Sequence, residues 1–161
     1  MKKYIVLFLL LVGGLGDSFA QLKSEKPNVV LINVDDLGWA DLGFMGSAYY
    51  ETPNLDKLSR ESKIFMNAYA GASNCAPSRA TMITGRYPMT HGIYTVDPAD
   101  RGDKRTRQLF ASPNLKVIQD SLYNLGKFFK DQGYTTGTFG KWHISDDPAI
   151  PGFDVNIGGS H

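Results

Sequence analysis

Three short clusters hold the residue types that do chemistry. The single cysteine, Cys75, stands in Asn74-Cys75-Ala76-Pro77-Ser78-Arg79, with Thr84-Gly85-Arg86 downstream. Asp35-Asp36 directly follows one apolar run, and Lys141-Trp142-His143 follows another. A lysine and a histidine converging beside an arginine and a divalent ion would make a clamp for a tetrahedral oxyanion. Adjacent aspartates repel each other unless a cation lies between them, and at a strand end they suit a hard ion such as Ca²⁺. The plainer alternative is that they end the strand and cap a turn. Lys141 and His143, at i and i+2, point the same way on an extended segment. Taken singly, each is an ordinary surface residue; their combination at strand ends carries the chemical reading.

The elements that must position these groups follow from the apolar pattern. Residues 28–34, almost unbroken in aliphatic and β-branched side chains, predict a central strand buried on both faces, as in a parallel sheet covered by helices. That strand would end at Asp35-Asp36-Leu37-Gly38, where open α/β sheets place their ligands. Thr52-Pro53 predicts an N-cap and a proline at N1 for a helix over 54–62, with Leu55 and Leu58 as its buried face. A second strand is expected over 64–70, delivering the chain into the cysteine loop. Pro77 suits N1 of a helix through Ser78 to Thr84, ended by Gly85. Cys75 would then lie at a helix N-terminus, where free N–H groups and the dipole favour an anion.

Residues 88–113, rich in Gly, Pro, Asp and Arg, predict an extended loop. Its basic stretch Arg101 to Arg107 reads as a solvated surface or, alternatively, as a rim touching a polyanion. Leu122, Leu125, Phe128 and Phe129 repeat at helical spacing across 120–132 and predict a helix with those side chains in the core, ended by Gly133. Residues 134–139 predict a strand that delivers Gly140-Lys141-Trp142-His143. Strand–helix alternation of this kind indicates an α/β domain with parallel strands. No internal repeat or low-complexity tract is present.

The chain's opening reads as a leader. Lys2 and Lys3 precede an apolar run from Ile5 to Val12, and Ser18-Phe19-Ala20 offers small residues for cleavage, so residues 1–20 predict a signal peptide with Gln21 as the mature start. The run falls short of the roughly 20 apolar residues of a bilayer span, which argues against stable membrane insertion. No cysteine follows it to carry a lipid. Export to the periplasm or the medium is expected, with a linker over 21–27 and one domain over 28–161. A net charge of +1 gives no electrostatic case for nucleic acid. One cysteine permits no intrachain disulfide. Its polar, turn-forming neighbours point to an accessible or modified thiol, the alternative being a small buried hydrophobe.

The cysteine segment with Thr84-Gly85-Arg86 resembles the signature of the type I, formylglycine-dependent sulfatases. Pro27-Asn28 with Asp35-Asp36-Leu37-Gly38, then Thr52-Pro53-Asn54-Leu55-Asp56, Gly140-Lys141-Trp142-His143 and Gly152-Phe153-Asp154 support it in order. The resemblance covers nearly all of the chain after the leader. Its details are most similar to sulfatases of polysaccharide-degrading marine or gut bacteria. It implies an alkaline-phosphatase-like α/β fold, a mostly parallel sheet flanked by helices, here its N-terminal part. It also implies a sulfated glycan or polysaccharide as substrate and a formylglycine-generating maturation enzyme as partner. Cys75 would become 3-oxoalanine (formylglycine), whose hydrate attacks sulfur with one hydroxyl and later expels sulfate with the other. Asp35, Asp36 and the oxygen on residue 75 would bind Ca²⁺. Arg79 would hold that oxygen, Lys141 would bind a sulfate oxygen, and His143 would act as general base. His91 falls outside the shared catalytic set, and His161, the final residue, carries no interpretation.

Members of that family are considerably longer. Their second half supplies an Asp-Asn pair for calcium, another lysine and a second histidine, none assigned in this chain. The sheet would also lack several strands, leaving an exposed edge and a half-covered core. The expectation is the N-terminal part of a sulfatase that by itself hydrolyses little or nothing and binds calcium weakly. A short product acting as an inactive remnant or sulfated-glycan binder is the alternative. A phosphoester or phosphonate hydrolase of the same architecture is a further one, because some of these carry a Cys-x-Pro-x-Arg segment. A thiol hydrolase using Cys75 and a histidine has no supporting order or spacing.

Overall fold

The structure, a computed structural model, describes residues 26–147 and 152–158. The leader 1–20, most of the linker and His161 lie outside the described residues. The chain divides into two units, one ending at Asp36 and one running from Leu37.

In the first unit the strand expected over 28–34 is not formed. These residues are irregular and exposed, Val30 at 81% and Ile32 at 76%. A buried parallel strand exists only through ladders on its two edges and cover on its two faces. Among the described residues the only ladder lies elsewhere. Apolar composition predicted the burial, but composition does not supply the neighbours. Asp35 and Asp36 therefore sit in a turn, not at a strand end, with Asp36 left-handed at φ 56°.

The second unit opens with a 3₁₀ turn, Gly43–Met45, tied to helix α1, Pro53–Arg60. Thr52 Oγ1 accepts from Gly43 N at 2.8 Å and donates to Asp56 Oδ1 at 2.7 Å, and Phe44 N donates to the same carboxylate at 3.0 Å. Pro53 occupies N1 as the sequence predicts. The buried face does not appear: Leu55 and Leu58 are both exposed. Nor do residues 64–70 form a strand; they are irregular and exposed throughout. As at 28–34, no partner backbone among the described residues completes a ladder there.

Helix α2, Cys75–Thr84, is where the core begins. It starts at Cys75, two residues before Pro77, the expected N1, with Asn74 as N-cap, and it ends on left-handed Gly85 as expected. Ala76, Ala80 and Ile83 are buried and meet Ile93, Ile118, Trp142 and Ile144. The spacing of Ala76, Ala80 and Ile83 keeps them on one face. A short helix α3, Pro88–His91, packs against α2 inside the stretch expected as loop. Helix α4, Leu125–Asp131, is shorter than the 120–132 prediction because Asn124 stops it. The Asn124 side chain accepts from Lys127 N at 3.1 Å and caps the first turn. Leu125 packs on the core, but Phe128 is exposed, correcting its assignment to the interior.

Strand β1, Gly137–Phe139, pairs in parallel with β2, Val155–Ile157. The α/β class and the parallel pairing agree with the sequence reading, while β2 falls in a tail for which no strand was expected. Asp154 fastens this pair to α4. Its carboxylate accepts from Thr136 N and Thr136 Oγ1, each at 3.0 Å, and meets Lys130 Nζ at 2.6 Å.

Candidate active site

Helix α2 and the loop after β1 bring three of the sequence-selected residues together. Cys75 and Arg79 are one turn apart and share a helix face. Cys75 Sγ lies 3.3 Å from His143 Nδ1, across 68 positions of sequence. Arg79 Nη1 donates to the Lys141 carbonyl oxygen at 2.5 Å. One face of one helix thus grips both ends of the Lys141–His143 segment.

The loop is anchored by its buried alternate residues. Trp142 is 4% exposed, donates from Nε1 to Ser145 Oγ at 2.6 Å, and sets its ring edge-on to Phe153 at 5.3 Å. Ser145 Oγ in turn donates to the Asp147 carbonyl oxygen at 2.9 Å. Ile144 is fully buried, and its carbonyl accepts from Ile118 N at 2.9 Å. His143, between these anchors, is left-handed at φ 69°. That region disfavours side chains bearing a Cβ, and such outliers persist where the surroundings over-determine them. The i, i+2 alternation expected for Lys141 and His143 is accordingly broken; the anchors on either side set the imidazole's direction.

Cys75, half-buried, occupies the first helical position. The Asn74 side chain gives the helix no cap; its Nδ2 donates to Thr95 Oγ1 at 3.0 Å. Ser78 N bonds back to Asn74 O, and Pro77 has no N–H, so the N–H groups of Cys75 and Ala76 are the ones a helix start leaves for an anion. The sequence reading of Cys75 as helix-terminal therefore holds in the fold.

His91 has a different part. It is fully buried; Ile93 N donates to its Nδ1 at 3.2 Å, which leaves Nε2 as donor to Thr81 Oγ1 at 3.1 Å. Burial holds its pKa below the ordinary value. It joins α3 to α2 as a neutral imidazole and is structural.

Asp35 and Asp36 lie in the first unit, Asp35 half-buried and Asp36 exposed. Two carboxylates are the hard oxygen donors that Ca²⁺ takes, but it needs six to eight such ligands. Among the described residues no group of three or more His, Cys, Asp or Glu side chains forms a metal cluster. The donor type fits calcium and the donor number is incomplete.

A cleft of about 300 Å³ opens beside the cysteine–histidine pair. Ala76, Ile93 and His143 line it, together with Asp97, Lys116 and Asp146. Lys116 Nζ lies 2.8 Å from Asp97 Oδ2, and both carboxylates raise the ammonium's pKa, Asp97 chiefly through its hydrogen bond. No sequence signal marks these three charges: Asp97 falls in the stretch expected as loop, Lys116 and Asp146 belong to no motif, and only the fold carries Lys116 to His143. Arg101 to Arg107 is exposed apart from Arg107, and its charges are partly internal: Arg105 pairs with Asp103 and Arg107 with Asp100.

A sulfatase family model matches residues 27–155. N-acetylgalactosamine-6-sulfatase of Homo sapiens is 36% identical over 149 residues, covering 90% of this chain and 27% of that protein. A sulfatase of Formosa agariphila is 38% identical over 174 residues, covering 98% of this chain and 31% of its own length. Among solved structures, Ps i-CgsB in complex with k-i-k-neocarrahexaose superposes with a TM-score of 0.67 at 36% identity, over 85% of this chain and 29% of that one. The chain belongs to the sulfatase family, the sulfuric ester hydrolases. It spans under a third of the length of these relatives, and its fold is the corresponding part of the alkaline-phosphatase-like α/β architecture.

Proposed function

We propose that this chain carries the nucleophile side of a carbohydrate sulfatase, with residue 75 acting as formylglycine on the sulfate ester of a glycan. The observation that supports this most is the Cys75–His143 approach at 3.3 Å, made by a residue in the family signature and a residue of the Gly140-Lys141-Trp142-His143 segment. Once converted, residue 75 would supply a hydrated aldehyde: one hydroxyl attacks sulfur as the S–O bond to the glycan oxygen breaks and that oxygen leaves as the protonated alcohol, and the other, on losing its proton, restores the aldehyde and releases sulfate. Asp35 and Asp36 are the residues that would contribute to holding a Ca²⁺ ion, which would supply Lewis-acid stabilisation of anionic oxygens.

The chain's own residues account for the rest. His143 Nδ1, aimed at the group on the Cβ of residue 75, is placed to remove a proton there. Arg79, one turn along the same helix, brings a permanent positive charge to that face and fastens the loop through Lys141 O. The Lys141 side chain, exposed on that loop, is the proposed contact for a sulfate oxygen. The N–H groups opening α2 add partial positive charge where negative charge develops.

Co-expression with a formylglycine-generating enzyme, followed by mass spectrometry of the Cys75 peptide, tests the reading directly; conversion of thiol to aldehyde is expected. A peptide that always emerges as plain thiol would sink it. In a longer protein carrying this chain, His143→Ala is expected to lower kcat by about 10²–10⁴-fold. Matched sulfate and phosphate esters would separate this activity from phosphoester hydrolysis. The 161-residue chain alone is expected to show little turnover of 4-nitrophenyl sulfate and weak calcium affinity, because two aspartates supply too few of the six to eight oxygens that Ca²⁺ takes. Export through residues 1–20 is part of the proposal, checked by N-terminal sequencing of the secreted or periplasmic product for Gln21.

A further inference from the structure

A sulfatase site must attract an anion, yet the cleft beside it carries a net negative charge. Its charged lining is Asp97, Asp146 and Lys116. Lys116 lies 2.8 Å from Asp97 and also feels Asp146, so one ammonium answers two carboxylates in the cleft. The neutral polar groups there are largely spent within the fold. Asn114 Oδ1 accepts from Tyr94 N and Thr95 N at 2.7 and 3.1 Å, and its Nδ2 donates to Thr95 O. Thr95 Oγ1 accepts from Asn74, and Ser145 Oγ is held between Trp142 and Asp147. The carboxylates and the ammonium are therefore the groups left to read a ligand.

Carboxylates accept hydrogen bonds from sugar hydroxyls and repel sulfate or uronate groups. Ala76 and Ile93 add an apolar wall of the kind a pyranose ring face can lie on. We propose that this cleft is a subsite for a neutral sugar ring, and that Asp97 and Asp146 select glycans with no second anionic group beside the ester. The proposal rests on the sulfatase reading of the neighbouring Cys75–His143 pair and deepens it. It makes the chain selective for singly charged units within a polyanionic class of substrate. Because Asp97 and Asp146 are exposed, their replacement by asparagine leaves the core untouched.

The test titrates the ¹⁵N-labelled 161-residue chain with methyl galactoside monosulfate and with the disulfate of the same sugar, following the amides of Ile93, His143 and Asp146. The monosulfate is expected to shift all three at about tenfold lower concentration than the disulfate, a ratio equivalent to about 1.4 kcal/mol. In Asp97→Asn/Asp146→Asn the two probes should converge. Equal or tighter binding of the disulfate by the unaltered chain overturns the selectivity, as does an unchanged ratio in the double variant. Those results leave the sulfatase reading standing if His143 still responds to either probe. No response from the three amides to either probe overturns the subsite as well, while the sulfatase reading is decided separately by the mass of the Cys75 peptide.

Discussion

Two apolar regions of this molecule meet opposite fates. Residues 28–34 and 64–70 are strongly apolar, yet they are irregular and exposed. Helix α2 and the loop 142–145 are more mixed in composition, yet they supply most of the buried cluster. The difference lies in partners. Ala76, Ala80 and Ile83 on α2 find Ile93, Ile118, Trp142 and Ile144, all within the same unit. The exposed segments require strands on either side, and the only described ladder is β1 with β2. Burial is a property of pairs of segments, so the region that orders Cys75 and His143 is the one whose partners the chain itself provides.

The sharpest way to break this comparison is to truncate one side chain from each region. Trp142→Ala removes a buried indole, its hydrogen bond to Ser145 and its contact with Phe153. It is expected to cost about 3–5 kcal/mol. Val30→Ala should stay within about 0.5 kcal/mol, the range of surface substitutions. Urea unfolding followed by circular dichroism measures both, and a loss at Val30 comparable to that at Trp142 would erase the distinction drawn here.

A smaller effect is expected at His91, the buried link between α2 and α3. Thr81→Val leaves the Nε2 donor without its hydroxyl partner and should cost about 1–3 kcal/mol. The pH dependence has a definite sign. The folded pKa is depressed by burial below 6.5, so at pH above that value both states are neutral and His91 contributes no slope. As pH falls below 6.5, the unfolded chain binds a proton that the folded one resists. Stability then declines until the lower folded pKa is passed. Urea midpoints rising as pH is lowered from 7 would contradict the buried, neutral imidazole.

The backbone at His143 sharpens the comparison at about 1 kcal/mol. His143→Gly and His143→Ala lose the same imidazole, but only alanine keeps a Cβ in the left-handed region. Glycine should therefore be the more stable variant by about that amount. Equal stabilities would mean that the anchors at Trp142 and Ile144 do not hold the turn in this conformation.

How much of this was legible follows the same division. The sequence named Cys75, Arg79, Lys141 and His143 from residue type and motif, and the fold places the first two against the loop carrying the others. Helix ends were readable where a side chain or glycine fixes them locally: Pro53 at N1 and Gly85 in the left-handed cap are such cases. The strands at 28–34 and 64–70 were misread because apolar runs report a tendency to be covered, not the presence of cover. Leu55, Leu58 and Phe128 failed for the same reason. Residue 124 was missed as a cap because the helical period of Leu122 and Leu125 runs straight through it. The cleft charges Asp97, Lys116 and Asp146 have no local signature at all; they meet only through tertiary packing. The left-handed turn at His143 was equally hidden, since histidine gives no warning of positive φ.

The smallest expected effect separates a surface clip from the core it borders. Asp154 joins α4 to the β1–β2 pair through Lys130 and Thr136, and these partners lower its pKa from 3.8 to about 2, the Lys130 hydrogen bond first. A depressed folded pKa contributes stability above the unfolded value, lost as pH falls from 3.8 through about 2. Asp154→Asn should therefore lower stability at neutral pH, with the gap to the parent chain closing as the acid limb approaches pH 2. The loss should be modest, because the ion pair is open to solvent and screened by salt. Hydrogen exchange localises it: the amides of Val155 and Asp154, which donate to Thr136 O, should exchange faster, while those of Ile118 and Gly85 stay protected. Faster exchange spreading into α2 would show that the two-stranded sheet and the cysteine helix unfold as one unit, and the contrast between core and clip would have to be redrawn.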